Sequence, residues 1–248
     1  MHPSTRLLLS MFVVATAVMH MTPASAQVSV KGIIREILPD QRPIENVEVS
    51  NSSEKRILQV NIEMAEEIRH DDGSKTQKPT DDFLVAPKTM VLRPNETKQA
   101  RLVLRKPPGD EERYYRARFK PKTPDPIRMK ALELTKAEQT EQDKLKAGIS
   151  MIGTMGMFIT VAPAEPEPKL TWQRTSDAVV FNNEGNTTIV MRPRKEFCPE
   201  GKESCMDLPR HRLFPGDTWR FEYPADLPLV YYYTMYDNTQ KAVIGAVE

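Results

Sequence analysis

The chain has 248 residues, with 35 basic side chains against 34 acidic ones and a mean hydropathy of −0.52. So even a balance offers no general field for nucleic acid or an anionic membrane, and any charge-based recognition has to be local. The length suits one large domain or two ordinary ones.

The first residues predict export. Arg6 gives a positive start, Leu7 to Val18 is an apolar core, and Ala24-Ser25-Ala26 is a small-residue cleavage site, so a signal peptide is expected over residues 1–26 and a mature chain from Gln27. The apolar run is too short for a membrane span, and no later stretch approaches about 18 consecutive apolar residues. No stable membrane insertion is expected.

Short alternating segments follow: Val28 to Ile34, Ile44 to Ser50, Ile57 to Ala65, Phe83 to Ala86, Thr89 to Leu92, Gln99 to Leu104 and Arg113 to Phe119. Strands at this spacing, punctuated by turn residues such as Pro94-Asn95-Glu96-Thr97, argue for a β-sandwich. In Arg113 to Phe119, Tyr115, Ala117 and Phe119 share one face, read as core; Tyr114, Arg116 and Arg118 share the other, which is basic. Residues 120–148 turn Pro-rich and then charged; the stretch is long for a loop inside a compact domain, so it is expected to be mobile, partly helical around Leu132 to Leu145, or ordered by a partner.

From Ile149 to Val161 every odd position is apolar or Gly and no position is charged. This reads as a closing strand, and a long, uncharged, apolar strand near a sheet edge is what proteins normally avoid. Either it is fully covered or it is kept to be lent to another chain. The stiff segment Ala162-Pro163-Ala164-Glu165-Pro166-Glu167-Pro168 then marks a linker, with domains over 27–163 and 164–248.

The second domain shows the same strand rhythm around Leu170 and Trp172, Ala178 to Phe181, Thr187 to Met191, Trp219 to Tyr223 and Val230 to Tyr236. No strong internal repeat relates the two halves. Cys198 and Cys205 are the two cysteines, and in an oxidising compartment they are expected to close a short disulfide loop. A redox-active pair is the alternative, although the spacing is not Cys-x-x-Cys.

Catalysis is poorly served. Only His70 and His211 follow the signal segment, the first in a polar turn and the second among arginines that disfavour a metal. There is no Gly-x-Ser-x-Gly elbow, phosphate-cradling loop or dinucleotide fingerprint, and the adjacent acids Asp110-Glu111-Glu112 read as a solvated turn. Neither enzyme activity nor a metal or other cofactor is expected.

Several segments taken together resemble a family: Phe83-Leu84-Val85-Ala86-Pro87, Leu92-Arg93-Pro94, Gln99-Ala100-Arg101-Leu102, Glu112-Arg113-Tyr114-Tyr115-Arg116, Ile152-Gly153-Thr154, Val161-Ala162-Pro163, Asn183-Glu184-Gly185-Asn186 and Pro215-Gly216. In this order they are similar to the periplasmic chaperones of the chaperone-usher pilus pathway, closest to the alternate, CS1-like or common pilus branch. The resemblance implies an all-β protein of two immunoglobulin-like sandwiches set in an L. It also implies a periplasmic location, a one-to-one complex with a pilus subunit, and delivery to an outer-membrane usher.

The same resemblance implies donor-strand complementation, in which the last strand of the first domain completes a subunit that lacks one. The donor side chains are then Ile149, Met151, Gly153, Met155 and Met157, with the even-numbered face as the alternative register. The family's carboxylate anchor pairs an Arg in the first strand with a Lys in the last. Arg35 lies near the first position but Phe158 aligns with the second, leaving Arg116, Lys31 or Lys146 as substitutes; Ala162 stands where a basic residue of an interdomain salt bridge is often found. The competing reading is a secreted immunoglobulin-like adhesion or structural protein.

Overall fold

The first strand expected from the sequence is two strands. β1 (Val28–Val30) pairs with β3 (Ile44–Asn51), whereas β2 (Ile34–Ile37) joins the opposite sheet. Between them Gly32 has φ +71°, a left-handed conformation that side chains resist, and there the chain crosses from one sheet to the other. The computed structural model describes residues 28–70, 72–146, 153–192, 209–223, 229–236 and 238–244.

The first sandwich packs two sheets. One has the order β1-β3-β8-β6, with β6 (Phe83–Ala86) and β8 (Thr97–Leu104). The other runs from β2 through β10 (Met155–Val161) and β9 (Arg113–Lys122) to the long β4 (Leu58–Arg69). The far edge of β4 is shared by β7 (Thr89–Leu92) near its start and β5 (Lys75–Pro79) near its end. β5 is exposed throughout and carries no apolar alternation; hairpin pairing with β4 makes it a strand, so no periodicity announced it.

Alternation decides which side chains enter the core. Val47 and Val49 of β3, Leu102 of β8, Val60 and Ile62 of β4, and Tyr115, Ala117 and Phe119 of β9 are all buried between the sheets. Each fully buried side chain of this size contributes roughly 1.5–3 kcal/mol. Two helices follow β9: α1 (Pro126–Lys130) and α2 (Lys136–Lys146), the second opened by a capping box in which the Thr135 amide donates to the Glu138 carboxylate at 2.8 Å.

The second sandwich packs β11 (Leu170–Arg174), β12 (Ala178–Asn183) and β15 (Thr218–Glu222) against a sheet ordered β14-β13-β16-β17. The latter strands span His211–Leu213, Ile189–Arg192, Leu229–Met235 and Asn238–Ile244. Val179, Phe181, Ile189, Met191 and Leu213 form the core. Gly185 sits so close to the backbone of Glu167, Pro168 and Lys169 that a Cβ there has no room. The linker is thereby held against the second domain.

The two halves share a device that pattern reading missed. Leu92-Arg93-Pro94-Asn95-Glu96-Thr97 and Leu213-Phe214-Pro215-Gly216-Asp217-Thr218 are equivalent turns, with Asn95 at φ +58° and Gly216 at φ +79°. In each an acid accepts the amide three residues back, Glu96 from Arg93 at 2.7 Å and Asp217 from Phe214 at 2.9 Å. A buried asparagine then donates to the leucine carbonyl, Asn51 to Leu92 and Asn183 to Leu213. This shared turn is local: it does not amount to a strong internal repeat between the halves.

The sandwiches meet at Glu112. Its carboxylate accepts the Tyr114 hydroxyl at 2.6 Å from its own domain, and the Thr188 amide at 3.0 Å and Tyr236 hydroxyl at 2.9 Å from the other. Burial raises both tyrosine pKa values, and the Glu112 charge adds to it, so both hydroxyls stay protonated and donate. Alongside, Arg69 lies 3.2 Å from the centre of the Phe214 ring, which meets Tyr114 edge-on.

Candidate functional site

Strand β10 is closed over one half and open over the other. Across β9 it is paired along its length, from Met155 opposite Phe119 to Val161 opposite Arg113. On the other side the parallel pairing with β2 begins only at Phe158, where the Phe158 amide donates to the Ile33 carbonyl at 2.8 Å. Even-numbered residues of β10 direct their backbone groups towards that side, because successive residues of a strand alternate. Among the described residues, Gly156 and Thr154 have no strand partner there. Unpaired backbone of this kind is a template for a further strand.

The side chains divide in the same way. Met157, Ile159 and Val161 are fully buried in the core of the first sandwich, and Met155 is half-buried against it. The odd-numbered face therefore looks inward. Gly153, Thr154 and Gly156 are exposed, and no atom stands within 4 Å of where a Cβ on either glycine would lie. Beside the open edge, Ile33 and Ile34 are 52% and 46% exposed. Bare backbone and apolar surface adjoin.

The expectation that Met157 is one of the lent side chains is corrected. Its side chain already fills the domain's own core, with no exposed surface to offer. Of the donor positions, Gly153 and Met155 lie at the open end, while Ile149 and Met151 lie outside the described residues, as do Cys198 and Cys205.

Arg35, Lys31 and Arg116 are engaged in ion pairs. Arg35 points to Glu45 on the facing sheet at 3.2 Å, where burial raises the Glu45 pKa and Arg35 opposes the rise. Lys31 pairs with Glu48 at 3.3 Å on the surface, and Lys146 closes helix α2. Arg116 is held by the buried Glu67 at 2.7 Å and lies over the Phe158 ring at 4.5 Å. Lys120 pairs with Glu63, so acids of β4 line up with the basic face that the sequence showed on β9.

One contributor came from outside that reading. Arg212 of the second sandwich brings its guanidinium to 5.5 Å from the Phe158 ring, which Tyr114 also stacks against at 6.0 Å. Burial lowers the Arg212 pKa, and Glu36 and Glu112 oppose the fall. Two guanidiniums from two domains thus flank one ring on the strand that carries the open edge. Nothing in the run Pro209-Arg210-His211-Arg212 announces this; only the docking of the domains brings it there.

Comparison with known proteins now bears on this geometry. Residues 12–142, more than half of the chain, match the family described as pili and flagellar-assembly chaperone, PapD N-terminal domain. The chain belongs to this family.

It is thus a pilus-assembly chaperone, and the family works in the periplasm. Among solved structures, the class 5 fimbriae chaperone CfaA is similar over 89% of this chain and all of its own, at 15% identity and a TM-score of 0.56. The Escherichia coli chaperone DraB matches over 89% of this chain and 96% of its own, at 16% and 0.52. The chaperone SafB of Salmonella enterica, seen in complex with the SafA pilin, matches over 90% and 99%, at 14% and 0.51. These likenesses show the fold, an all-β pair of sandwiches. No curated protein sequence matches.

The chaperone carries no group of three or more His, Cys, Asp or Glu side chains fit to hold a metal among the described residues, and no described helix is long and apolar enough to cross a membrane. His70 bonds Thr76 at 3.0 Å in a hairpin, and His211 stacks on Trp219 at 4.4 Å.

Proposed function

We propose that this chaperone captures pilus subunits one to one by lending them the N-terminal end of β10, and passes them to an outer-membrane usher without turning over a substrate. The observation that carries the reading is the unpaired edge at Thr154 and Gly156, set next to an inward-facing apolar row. A subunit lacking a strand exposes an apolar groove and unpaired backbone, and a lent strand satisfies both at once. SafB, which shares this fold, is seen holding a pilin.

In this account the unit that lends the strand is 27–163, exported behind a signal peptide cleaved after Ala26, and 164–248 is the second domain, stapled by Cys198 and Cys205. Ile149, Met151, Gly153 and Met155 are the residues we assign to the subunit groove. Burying three such side chains at about 1.5–3 kcal/mol each dominates the gross gain, before the costs of association are subtracted. Gly153 leaves its pocket unfilled.

For the subunit's terminal carboxylate we assign Arg116 with Arg212, ahead of Arg35, Lys31 and Lys146. A planar guanidinium favours bidentate capture of a carboxylate, and this pair flanks Phe158, where an anchoring lysine is missing. Co-expression with the neighbouring pilin tests the reading. A one-to-one complex is expected, with a yield that falls sharply for Met151→Asp and Met155→Asp; equal yields for wild type and both variants would overturn it.

A further inference from the structure

Glu67 of β4 is a buried carboxylate, only 3% exposed, and it serves two arginines at once. Its Oε2 accepts from the Arg116 Nε at 2.7 Å, and its Oε1 lies 3.5 Å from the Arg69 Nη1. A carboxylate withdrawn this far from water has to be paired. The register of the sheet brings the pair together: Glu67 stands opposite Tyr114, and Arg116 stands opposite Ala65, whose small side chain lets the two long ones meet on the diagonal.

Arg116 is thereby held in two ways. The Phe158 ring, 4.5 Å from its guanidinium carbon, limits where the group can lie, and the bond from Nε to Glu67 limits how it can turn. Its other edge, formed by Nη1 and Nη2, has no acceptor among the described residues and keeps the fork that fits a carboxylate. The second sandwich braces the same set from outside. Arg212 and Phe214 are two residues apart; the first comes to 5.5 Å from the Phe158 ring, and the centre of the Phe214 ring lies 3.2 Å from the Arg69 guanidinium.

We propose that Glu67 is the positioning residue of the carboxylate anchor: by holding Arg116 at Nε, it presents the Nη1 and Nη2 edge, already oriented, to the subunit's terminal carboxylate. This rests on the assignment of Arg116 with Arg212 made above. Ordering a long side chain during folding rather than during capture is worth roughly 2- to 12-fold in affinity. Glu67 also offsets one positive charge beside the incoming anion, so its reach favours capture while its charge opposes it. The two effects can be separated.

Two conservative variants of the full-length chaperone do so. Glu67→Gln keeps the reach and an oxygen for Nε but drops the charge, whereas Glu67→Asp keeps the charge and is shorter by one C–C bond, about 1.5 Å, which takes its oxygens out of hydrogen-bond range of Nε. The probe is a synthetic peptide of about a dozen residues from the C-terminus of the neighbouring pilin, titrated as the free acid and as the carboxamide. The readout is the ratio of the two dissociation constants, which a general loss of stability leaves alone. The wild type should prefer the acid by about tenfold or more, as hydrogen bonds between charged groups allow. Glu67→Gln should keep that preference, and Glu67→Asp should lower it roughly fivefold. A preference retained in Glu67→Asp, or lost in Glu67→Gln, overturns the inference. A wild type that does not prefer the acid overturns the anchor assignment instead.

Discussion

The amide of Phe158 donates to the carbonyl of Ile33 at 2.8 Å, and this bond marks where β10 passes from open to closed. Beyond it towards the C-terminus, both edges and both faces are covered, by β2 and β9 at the sides, the core beneath, and Tyr114, Arg116 and Arg212 above Phe158. Before it, one edge is bare. Gly156→Pro should therefore lower pilin affinity about tenfold by removing an amide aimed at the open side. The β9 ladder uses the odd-numbered residues, so the melting temperature should shift little; calorimetric titration and a thermal melt check the two halves of this prediction.

Met155 and Met157 should separate stability from capture. Met157→Ala opens a cavity in the first core and should cost about 2–5 kcal/mol of unfolding free energy in urea titrations. Met155→Ala, at a half-buried site, should cost less while weakening capture more. The opposite order would place the lent row elsewhere.

Much of this was legible in the sequence, and the failures have identifiable causes. The alternating faces of Arg113 to Phe119 and the inward row from Met155 to Val161 follow from a period of two. Whether the closing strand was sealed or lent had no answer in periodicity, because edge pairing depends on where β2 begins, and Gly32 decides that by turning the chain between sheets. The basic face of β9 was legible, but its partners were not, because Glu63 and Glu67 lie on β4, far along the chain. The repeated Leu-x-Pro turn was printed in the residues, but the asparagines that complete it lie some distance upstream.

The joint between the sandwiches gives a further prediction. Glu112→Ala leaves the Thr188 amide and the Tyr236 hydroxyl without their acceptor and should cost roughly 1.5–3 kcal/mol, as for hydrogen bonds to a charged group. Because those donors belong to the second domain, differential scanning calorimetry should resolve two transitions in the variant where the wild type shows one.

His211 supplies a pH dependence whose sign can be stated. Burial beside Trp219 lowers its pKa below the ordinary 6.5, with Asp217 opposing the shift, so the folded state favours the neutral ring. The stabilisation is present above pH 6.5 and is lost as pH falls through the lowered folded value. His211→Phe keeps the stack without the titration, so its melting temperature should gain on wild type as pH is lowered from 7 to 5.

The most direct test of the open edge is amide hydrogen exchange at Gly156, measured in the free chaperone and in its complex with pilin. The account predicts rapid exchange when free and strong protection when loaded, with Ile159, paired to β9, protected in both. A Gly156 amide that exchanges at one unchanged rate in the two states would contradict it.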